Sequence, residues 1–329
     1  MPSAPLLSFV IPVYNAESTL SGCLDSILQQ PGQNFEIILV DDASTDQSPR
    51  IIDRYVRTYP SIVKAFSQKN GGPGDARNRG IRRSRGLYVT FVDSDDTLAP
   101  DYLEHATGML LEHDPDIAVI GYNRMYNRSK NIFERSYSFS TWTVFDTPVN
   151  VSTHPELICK IEGAAWLKII KKTLLDTDAS LLFTRGRLGE DLEASLKWWL
   201  GAEKIVVSRH KVYNYNIRPH SLNAVTDHIT QFIGVQAAVC AYYRERGKFE
   251  ACFAELECVF AKHLLISSML RLRSSAAVGK YAVFLALREA VLQYFPRFYQ
   301  NKYLRAEPLY VRLALYLAYK CPALFRLIL

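Results

Sequence analysis

The sequence predicts an α/β fold in which a mostly parallel sheet is flanked by helices and followed by a C-terminal α-helical region. Between residues 6 and 92, strand-like apolar runs alternate with helical spacing at the short intervals that βαβ units show. From Ile229 onward strand-like runs are absent and only helical spacing continues. We therefore expect an α/β domain over residues 1–225 and a helical region over residues 226–329.

The first four strands are predicted from continuous apolar runs, which are typical of strands buried on both faces. They are Leu6–Val13, Phe35–Val40, Ile62–Phe66 and Leu87–Val92. Apolar residues at helical spacing predict helices Ser18–Gln30 and Ser48–Tyr59 between them. We also predict a helix at Asp75–Ser84, with Arg77, Arg82, Arg83 and Arg85 in or beside it. Lys69–Gly74 is rich in glycine, and we expect a flexible loop there.

The later elements are less regular. We predict helix Pro100–Glu112, strand Asp116–Tyr126, a helix opening at Leu188-Gly189-Glu190-Asp191 and strand Ile205–Tyr215. Asn127–Val151 is polar and aromatic, and it fits a hairpin or loop as well as plain β packing. The C-terminal helices are predicted at Ile229–Tyr243, Phe249–Leu272, Val278–Tyr294 and Leu309–Leu327.

Composition limits the class of protein and its compartment. The net charge of +6 is uneven, because residues 262–329 hold eleven Lys and Arg against two acids. Such asymmetry suggests an anionic partner for the C-terminal part. The six scattered cysteines fit a reducing compartment, and residues 1–15 are better explained as a first strand than as a signal peptide. No window reaches the ~18 uncharged apolar residues of a membrane span.

An acidic cluster follows the fourth strand directly. Asp93, Asp95 and Asp96 come within four residues, and like charges so close are costly to bury without a cation. Oxygen ligands of this kind suit Mg²⁺ or Mn²⁺, which also bridge to substrate phosphates. A solvated acidic turn before the next helix is the alternative, and this stretch alone does not decide between them.

A second acidic cluster strengthens the functional interpretation. Asp41, Asp42 and Asp46 follow the second strand, and the carboxyl ends of parallel strands meet at one edge of a sheet. Taken singly, such acids are most often helix caps. A glycine-rich loop and an arginine-bearing helix follow them, which are groups that phosphates prefer. Neither GxxxxGKS/T nor GxGxxG is present, so neither a P-loop NTPase nor a Rossmann dehydrogenase is favoured.

Five segments together resemble the nucleotide-sugar-binding half of glycosyltransferase family 2. They are Phe9-Val10-Ile11-Pro12-Val13-Tyr14-Asn15, Ile38-Leu39-Val40-Asp41-Asp42-Ala43-Ser44-Thr45-Asp46, Asn70-Gly71-Gly72, Ala76-Arg77-Asn78-Arg79-Gly80 and Phe91-Val92-Asp93-Ser94-Asp95-Asp96. Their order and spacing also match, and the resemblance covers roughly residues 6–223. It implies the GT-A fold, a nucleotide-diphosphate sugar donor, a divalent cation and inversion at the anomeric carbon.

The resemblance also implies roles for individual residues at the donor. The positions it assigns to donor binding are Pro12, Tyr14, Glu17, Asp41, Asp42, Arg77, Asp93, Ser94, Asp95, Arg218 and His220. Asp42 would accept a hydrogen bond from the base, Asp41 would support its loop, and Arg77 would face the nucleotide or diphosphate. Asp93 and Asp95 form the DxD pair and would hold Mn²⁺ or Mg²⁺. Arg218 and His220 lie in a segment that often closes over the diphosphate in this family, although a plain solvated loop is nearly as good an explanation.

On the acceptor side, Glu190-Asp191 resembles the ED motif of the family, whose Asp is the general base. Inverting transfer needs one carboxylate that deprotonates the acceptor hydroxyl, and we assign that role to Asp191 rather than Glu190. The alternative is a helix N-terminal acid stabilised by the macrodipole. Glu190 and Trp166 are predicted acceptor contacts, although Trp166 packed under the sheet is an equally good explanation.

The basic C-terminal helices carry Tyr, Phe and Leu between their charges, which suits an anionic membrane surface. Packing on the rest of the chain or on a second subunit as a homodimer explains them equally well, and nucleic acid is a weaker option. We expect a cytoplasmic protein at the inner face of the cell membrane.

These observations predict an inverting transferase that moves a sugar from a UDP-sugar to a saccharide or lipid-linked acceptor in bacterial surface polysaccharide synthesis. A nucleotidyltransferase shares the sheet and the acidic metal site but has no evident need for Asp191. A non-catalytic carbohydrate-binding protein on the same fold is the other alternative, and the intact set of Asp93, Asp95 and Asp191 argues against it.

Overall fold

Nine strands form one sheet in the part of the chain that the computed structural model describes, namely residues 4–32, 34–128, 131–135, 147–217, 229–274, 278–327 and 329. The strands are β1 (Leu7–Val13), β2 (Phe35–Asp41), β3 (Val63–Ser67), β4 (Tyr88–Phe91), β5 (Thr97–Leu98), β6 (Ile117–Arg128), β7 (Asn131–Arg135), β8 (Lys168–Lys171) and β9 (Ile205–Ile217).

Helices alternate with these strands and then take over. They are α1 (Leu20–Leu28), α2 (Ser48–Thr58), α3 (Gly72–Arg83), α4 (Tyr102–His113), α5 (Leu157–Lys160), α6 (Lys172–Thr177), α7 (Glu190–Gly201), α8 (Gln231–Glu245), α9 (Phe253–Phe260), α10 (Ser268–Ser274), α11 (Lys280–Tyr294) and α12 (Leu309–Lys320).

The strand order is β3-β2-β1-β4-β8-β6-β9-β5, with β7 paired to β6. The predicted parallel arrangement is confirmed for β1 to β4, where β1 lies between β2 and β4 and β3 is at the edge. Beyond β4 the sheet is mixed, because β8 runs antiparallel to both of its neighbours, β4 and β6. The prediction of a mostly parallel sheet therefore needs correction.

Burial explains why the first strands form. All seven residues of β2 are buried, as expected for a strand covered on both faces by helices. Helix α2 turns Ile52 and Tyr55 inward and leaves its arginines in solvent, the one-sided pattern of a helix lying on a sheet. Helix α3 begins at Gly72, inside the predicted loop, because Pro73 fits the first turn of a helix and lacks only an N–H that has no partner there.

Within residues 127–151, β7 pairs antiparallel with β6, which a hairpin and plain β packing would both give, so the choice between the two stays open. The aromatic residues of that segment, Tyr137, Phe139, Trp142 and Phe145, lie outside the described residues.

The chain separates into two units. One consists of Met1–Thr153 with Glu162–Arg218, and the other of His154–Ile161 with Pro219–Leu329. The first contains the whole described sheet, and the second contains α5 and α8 to α12. The boundary expected at residue 225 stays a prediction, because residues 218–228 lie outside the described part.

In the second unit, the predicted helix Phe249–Leu272 is divided into α9, a π-helical stretch at Ala261–Ser267 and α10. The predicted helix Leu309–Leu327 ends at Lys320, shortly before Pro322, whose ring cannot continue a regular helix. Across the described ranges, no helix combines the length and apolar character needed to cross a bilayer.

Candidate active site

The acidic clusters lie at the carboxyl edge of the parallel strands. Val13 at the end of β1 is opposite Asp41 at the end of β2, and the N–H of Val92 donates to the carbonyl of Val10 at 3.1 Å. The segments after β1, β2 and β4 therefore leave the sheet side by side. In open α/β sheets ligands bind at such an edge.

The buried Asp42 carboxylate organises the glycine-rich turn before α3. It accepts hydrogen bonds from the N–H groups of Gly71 at 2.9 Å and Gly72 at 2.8 Å, and from the Gln68 amide at 2.8 Å. Gly72 has a φ of +83°, a conformation that glycine adopts without strain. Asp41 accepts from the N–H of Ser44 at 3.1 Å. Both acids hold loops of the edge in place, and contact with a base remains a prediction.

The loop after β1 is fastened to the loop after β2. Glu17 accepts from the N–H of Gln47 at 2.9 Å, and its own N–H donates to Asp46 at the same distance. Tyr14 is 53% exposed at this place, and Pro12, two residues earlier, is partly buried. An exposed aromatic ring beside two fixed loops is a suitable platform for a planar base.

Arg77 on α3 joins two acidic segments. Its Nη2 lies 2.8 Å from Oδ1 of Asp93, and its Nη1 lies 3.0 Å from Oε1 of Glu190. Burial alone would lower the pKa of Arg77, but Asp93, Glu190 and Asp191 together raise it. The guanidinium also lies over the ring of Phe183 at 5.4 Å. Arg77 is thus a permanent buried cation that fixes the orientation of Asp93 and Glu190.

The three acids after β4 take two different environments. Asp96 is 1% exposed and accepts hydrogen bonds from the Tyr213 hydroxyl and the N–H of Asn216, each at 2.7 Å. Burial, with repulsion from Asp93 and Asp95, raises the pKa of Asp96 well above its ordinary range. Asp93, Ser94 and Asp95 are only partly buried. Asp96 is therefore a structural group of the sheet, and the DxD pair remains at the crevice.

The donor set at this crevice fits a hard divalent cation. Among the described residues, no group of three or more His, Cys, Asp or Glu side chains is arranged to hold a metal ion. A cation at Asp93 and Asp95 would therefore take its other ligands from substrate phosphates and water, which is the usual arrangement for Mg²⁺. The two carboxylates are oxygen ligands of the required kind.

Glu190 and Asp191 open helix α7 after Gly189, which has a φ of +84°. Burial and then repulsion from Asp191 raise the pKa of Glu190 to about 7, against the attraction of Arg77. Burial also raises the pKa of Asp191, opposed by Arg77 and by the N–H of Leu192, which donates to Oδ1 at 2.8 Å. Through Arg77 the fold brings the ED segment beside Asp93, although the two are far apart in sequence.

Trp166 is packed among tyrosines. It is 7% exposed, stacks on Tyr213 at 4.5 Å and Tyr215 at 5.4 Å, and meets the edge of Tyr122 at 4.8 Å. This environment favours the alternative in which Trp166 supports the sheet. An acceptor contact by Trp166 stays a prediction, as it does for Glu190.

Sequence reasoning missed a group beside Trp166. Tyr122 donates to Glu162 at 2.9 Å, and Arg124 lies 3.9 Å from the same carboxylate. Lys168 is fully buried, and its Nζ donates to the carbonyl of Glu162 at 2.8 Å. Their positions in the first unit could not be read from spacing, because β6 and the residues before β8 are distant in sequence. Arg218 and His220 lie outside the described residues.

Solved structures establish the class of fold. S. aureus TarS residues 1–349, crystallised in complex with UDP-GlcNAc, aligns with a TM-score of 0.73 over 95% of this chain and 89% of that chain, at 22% identity. A mannosyltransferase from Pyrobaculum calidifontis, in complex with GDP-Man and Mn²⁺, aligns with a TM-score of 0.57 over 97% and 88%, at 18% identity. The mixed sheet with its flanking helices is the GT-A fold of glycosyltransferases.

Sequence comparison gives the family. The family described as Glycosyl transferase family 2 matches residues 8–168. Glycosyltransferase GlyG of Streptococcus pneumoniae serotype 4 is 32% identical over 222 residues, which are 66% of this chain and 72% of that protein. The chain therefore belongs to glycosyltransferase family 2, and it is a glycosyltransferase rather than a nucleotidyltransferase or a non-catalytic protein.

Longer relatives are matched over part of their length. Glycosyltransferase GlyA of the same Streptococcus is 35% identical over 224 residues, which are 67% of this chain and 32% of that protein. The poly(ribitol-phosphate) β-glucosyltransferase of Bacillus spizizenii is 34% identical over 215 residues, which are 64% and 32%. The matched region thus spans about a third of each of these two proteins.

Proposed function

We propose that this glycosyltransferase inverts the anomeric configuration while moving a sugar from a UDP-sugar to a saccharide or lipid-linked acceptor, in bacterial surface polysaccharide synthesis. One observation carries the proposal: Arg77 contacts both Asp93 and Glu190, so the acids expected at the donor and at the base belong to one site. The UDP-GlcNAc complex of TarS and the poly(ribitol-phosphate) specificity in the name of one relative are consistent with it.

The nucleotide would occupy the edge after β1 and β2. Tyr14 offers an exposed ring for the base, while Pro12, Glu17, Asp41 and Asp42 fix the loops around it. An edge held by so many internal hydrogen bonds is preorganised, and binding then costs less ordering entropy. The diphosphate would follow toward Asp93, Ser94 and Asp95.

The reaction needs a base on the face of the sugar opposite the leaving nucleotide. Asp191 would take the proton of the acceptor hydroxyl as the oxygen attacks the anomeric carbon, and the bond to UDP would break on the far side. The permanent charge of Arg77 favours the ionised form of Asp191, which a base requires. Glu190 would act mainly by holding Arg77, with acceptor binding as a second role.

Asp93 and Asp95 would hold Mn²⁺ or Mg²⁺ together with the donor phosphates. When bound, such a cation neutralises negative charge that develops on the leaving diphosphate. Arg77 keeps the Asp93 carboxylate in its orientation whether or not the cation is present.

A thermal-shift screen with Mn²⁺ tests the donor. UDP, UDP-GlcNAc, UDP-glucose, UDP-galactose and GDP-mannose are compared at equal concentration, since a ligand stabilises by RT ln(1 + [L]/Kd). We expect UDP and one UDP-sugar to raise the melting temperature, and that UDP-sugar to release UDP slowly. Stabilisation by GDP-mannose alone would contradict the UDP assignment.

For the second unit we propose peripheral binding to an anionic membrane, on the cytoplasmic face. Helix α12 turns Val311, Leu315 and Ala318 inward, while Leu309 and Tyr310 are 74% and 75% exposed. Exposed basic residues accompany this apolar surface, namely Arg305, Arg312 and Lys320. A helix with an apolar outer face and flanking cations fits an anionic bilayer surface. Homodimerisation through the same surface is the outcome that the test below separates.

A further inference from the structure

Lys168 is a fully buried lysine at the start of β8, outside the residues assigned so far. Its Nζ donates to the carbonyls of Glu162 and Ala164, each at 2.8 Å, and lies 5.2 Å from the centre of the Trp199 ring on α7. Lysines are almost never fully buried unless they are paired. A buried ammonium bound only to carbonyl oxygens therefore calls for an explanation.

The turn that Lys168 holds is packed on the first turns of α7. Between the two carbonyls bound by Lys168, the carbonyl of Gly163 accepts from the Ser195 hydroxyl at 2.6 Å. A Cβ at Gly163 would lie 2.5 Å from Cδ1 of Leu192, so the turn and the helix are in close contact. Lys168 and Ser195 thus fasten residues 162–164 against the helix that carries Asp191.

The charges around Asp191 come from four elements. Arg77 on α3 and Lys168 on β8 are cations, whereas Asp93 after β4 and Glu190 on α7 itself are acids. Glu162 acts on Lys168 together with Asp191. The two acids repel a negative charge on Asp191, and Arg77 is shared with both of them. Lys168 is a second cation, and its charge lowers the pKa of Asp191.

We propose that Lys168 is a positioning residue for Asp191: its ammonium fastens the 162–164 turn to α7, and its charge keeps the Asp191 carboxylate ionised. This inference rests on the proposed role of Asp191 as the base. Burial lowers the pKa of Lys168 to about 7, with Asp191 and Glu162 acting in the opposite direction. The Lys168 ammonium is therefore charged below neutral pH and loses its charge as the pH rises above neutral.

The test is a titration of Asp191 by NMR in protein labelled with ¹³C at aspartate carboxyls, without donor. The Asp191 resonance is assigned by its loss in Asp191→Asn. In the wild type we expect a second inflection near pH 7, as Lys168 loses its proton. In Lys168→Met and Lys168→Gln that inflection should vanish and the main midpoint should rise by about one pH unit. A wild-type curve with one inflection, or variants with an unmoved midpoint, would overturn the proposal.

Two comparisons separate the possible failures. Lys168→Gln keeps amide donors for the two carbonyls. If Lys168 has only a structural role, Gln should replace it without loss of stability, and the titration of Asp191 should not change. Turnover of the stabilising UDP-sugar by Asp191→Asn is measured in parallel. Normal turnover there would refute the assigned base, whereas loss of turnover together with an unmoved midpoint in the Lys168 variants would refute only the role of Lys168.

Discussion

The buried Arg77 and the partly buried Asp93 form an ion pair with 2.8 Å between Nη2 and Oδ1. The same guanidinium holds Glu190 with its other terminal nitrogen. The guanidinium group is planar and permanently charged, so its two terminal nitrogens can each hold a different carboxylate. This pairing ties the strand end expected to bind the diphosphate to the helix end expected to carry the base, and the predictions below depend on it.

Donor binding should depend on a divalent cation held by Asp93 and Asp95. In Asp95→Ala we expect loss of activity and loss of the effect of Mn²⁺ on UDP affinity, because one of two protein ligands is gone. Calorimetry with UDP, in Mn²⁺ and in EDTA, measures this. The control is Asp53→Ala on α2, which removes an exposed carboxylate elsewhere. Equal UDP affinity in Mn²⁺ and EDTA for the wild type would refute the metal site.

Glu190 should make stability depend on pH. Its pKa is about 7 in the folded chain against an ordinary value of 4.5, so folding retains a proton that the unfolded chain releases. Stability from this group is therefore present below pH 4.5 and is lost as the pH rises toward 7. Between pH 4.5 and 7, the free energy of unfolding of Glu190→Gln should rise relative to that of the wild type by up to about 3 kcal/mol. Above that range the difference should not grow further.

Urea unfolding at pH 4.5, 5.5, 7 and 8 measures the difference between Glu190→Gln and the wild type. The exposed Glu203→Gln is the matched control, and its difference from the wild type should be smaller. A Glu190→Gln difference that is constant across these pH values would show that burial does not hold the proton on Glu190.

The outer surface of α12 should bind anionic liposomes. Changing Arg305, Arg312 and Lys320 to Glu should abolish flotation with them, since each basic residue near such a surface contributes about 1 kcal/mol. Lys302 is left unchanged, because its Nζ lies 3.5 Å from the buried Glu255. The control changes Arg50, Arg57 and Lys64 in the first unit to Glu. It gives the same shift in net charge and should leave flotation intact.

Wild-type flotation should also weaken as salt rises, because exposed charges are screened within a Debye length. Wild-type protein that stays unbound at low salt would refute the membrane proposal. If it also elutes as a dimer that Leu313→Ser dissociates, the exposed surface of α12 is instead a subunit interface.

The sequence was sufficient to predict the first half of the sheet and the acids that lie at its carboxyl edge. The runs in β1, β2 and β4 are continuous and apolar, and parallel strands bring their carboxyl ends to one edge. Asp41, Asp42 and Asp93 could therefore be expected together. The glycines and the arginine between Gly71 and Arg77 are groups that phosphates prefer, so α3 could be expected beside these acids.

Long-range pairing explains what the sequence could not supply. Strand β8 has four residues with lysine at both ends, and it exists because β4 and β6 bond to it on either side. Asp96 reads like its neighbours, but the Tyr213 hydroxyl, far along the chain, turns it into the sheet. Lys168 resembles a surface lysine until the carbonyls of the 162–164 turn and the Trp199 ring surround it.

Turnover by Asp191→Asn tests the central claim most directly. The amide keeps the shape of the side chain but cannot take the proton of the acceptor. With the UDP-sugar found in the thermal screen, we expect kcat to fall by ~10² or more while donor affinity stays near that of the wild type. Asp176→Asn, which changes an exposed carboxylate paired with Lys172, should keep full activity. Near-normal turnover by Asp191→Asn would contradict the assignment of the base.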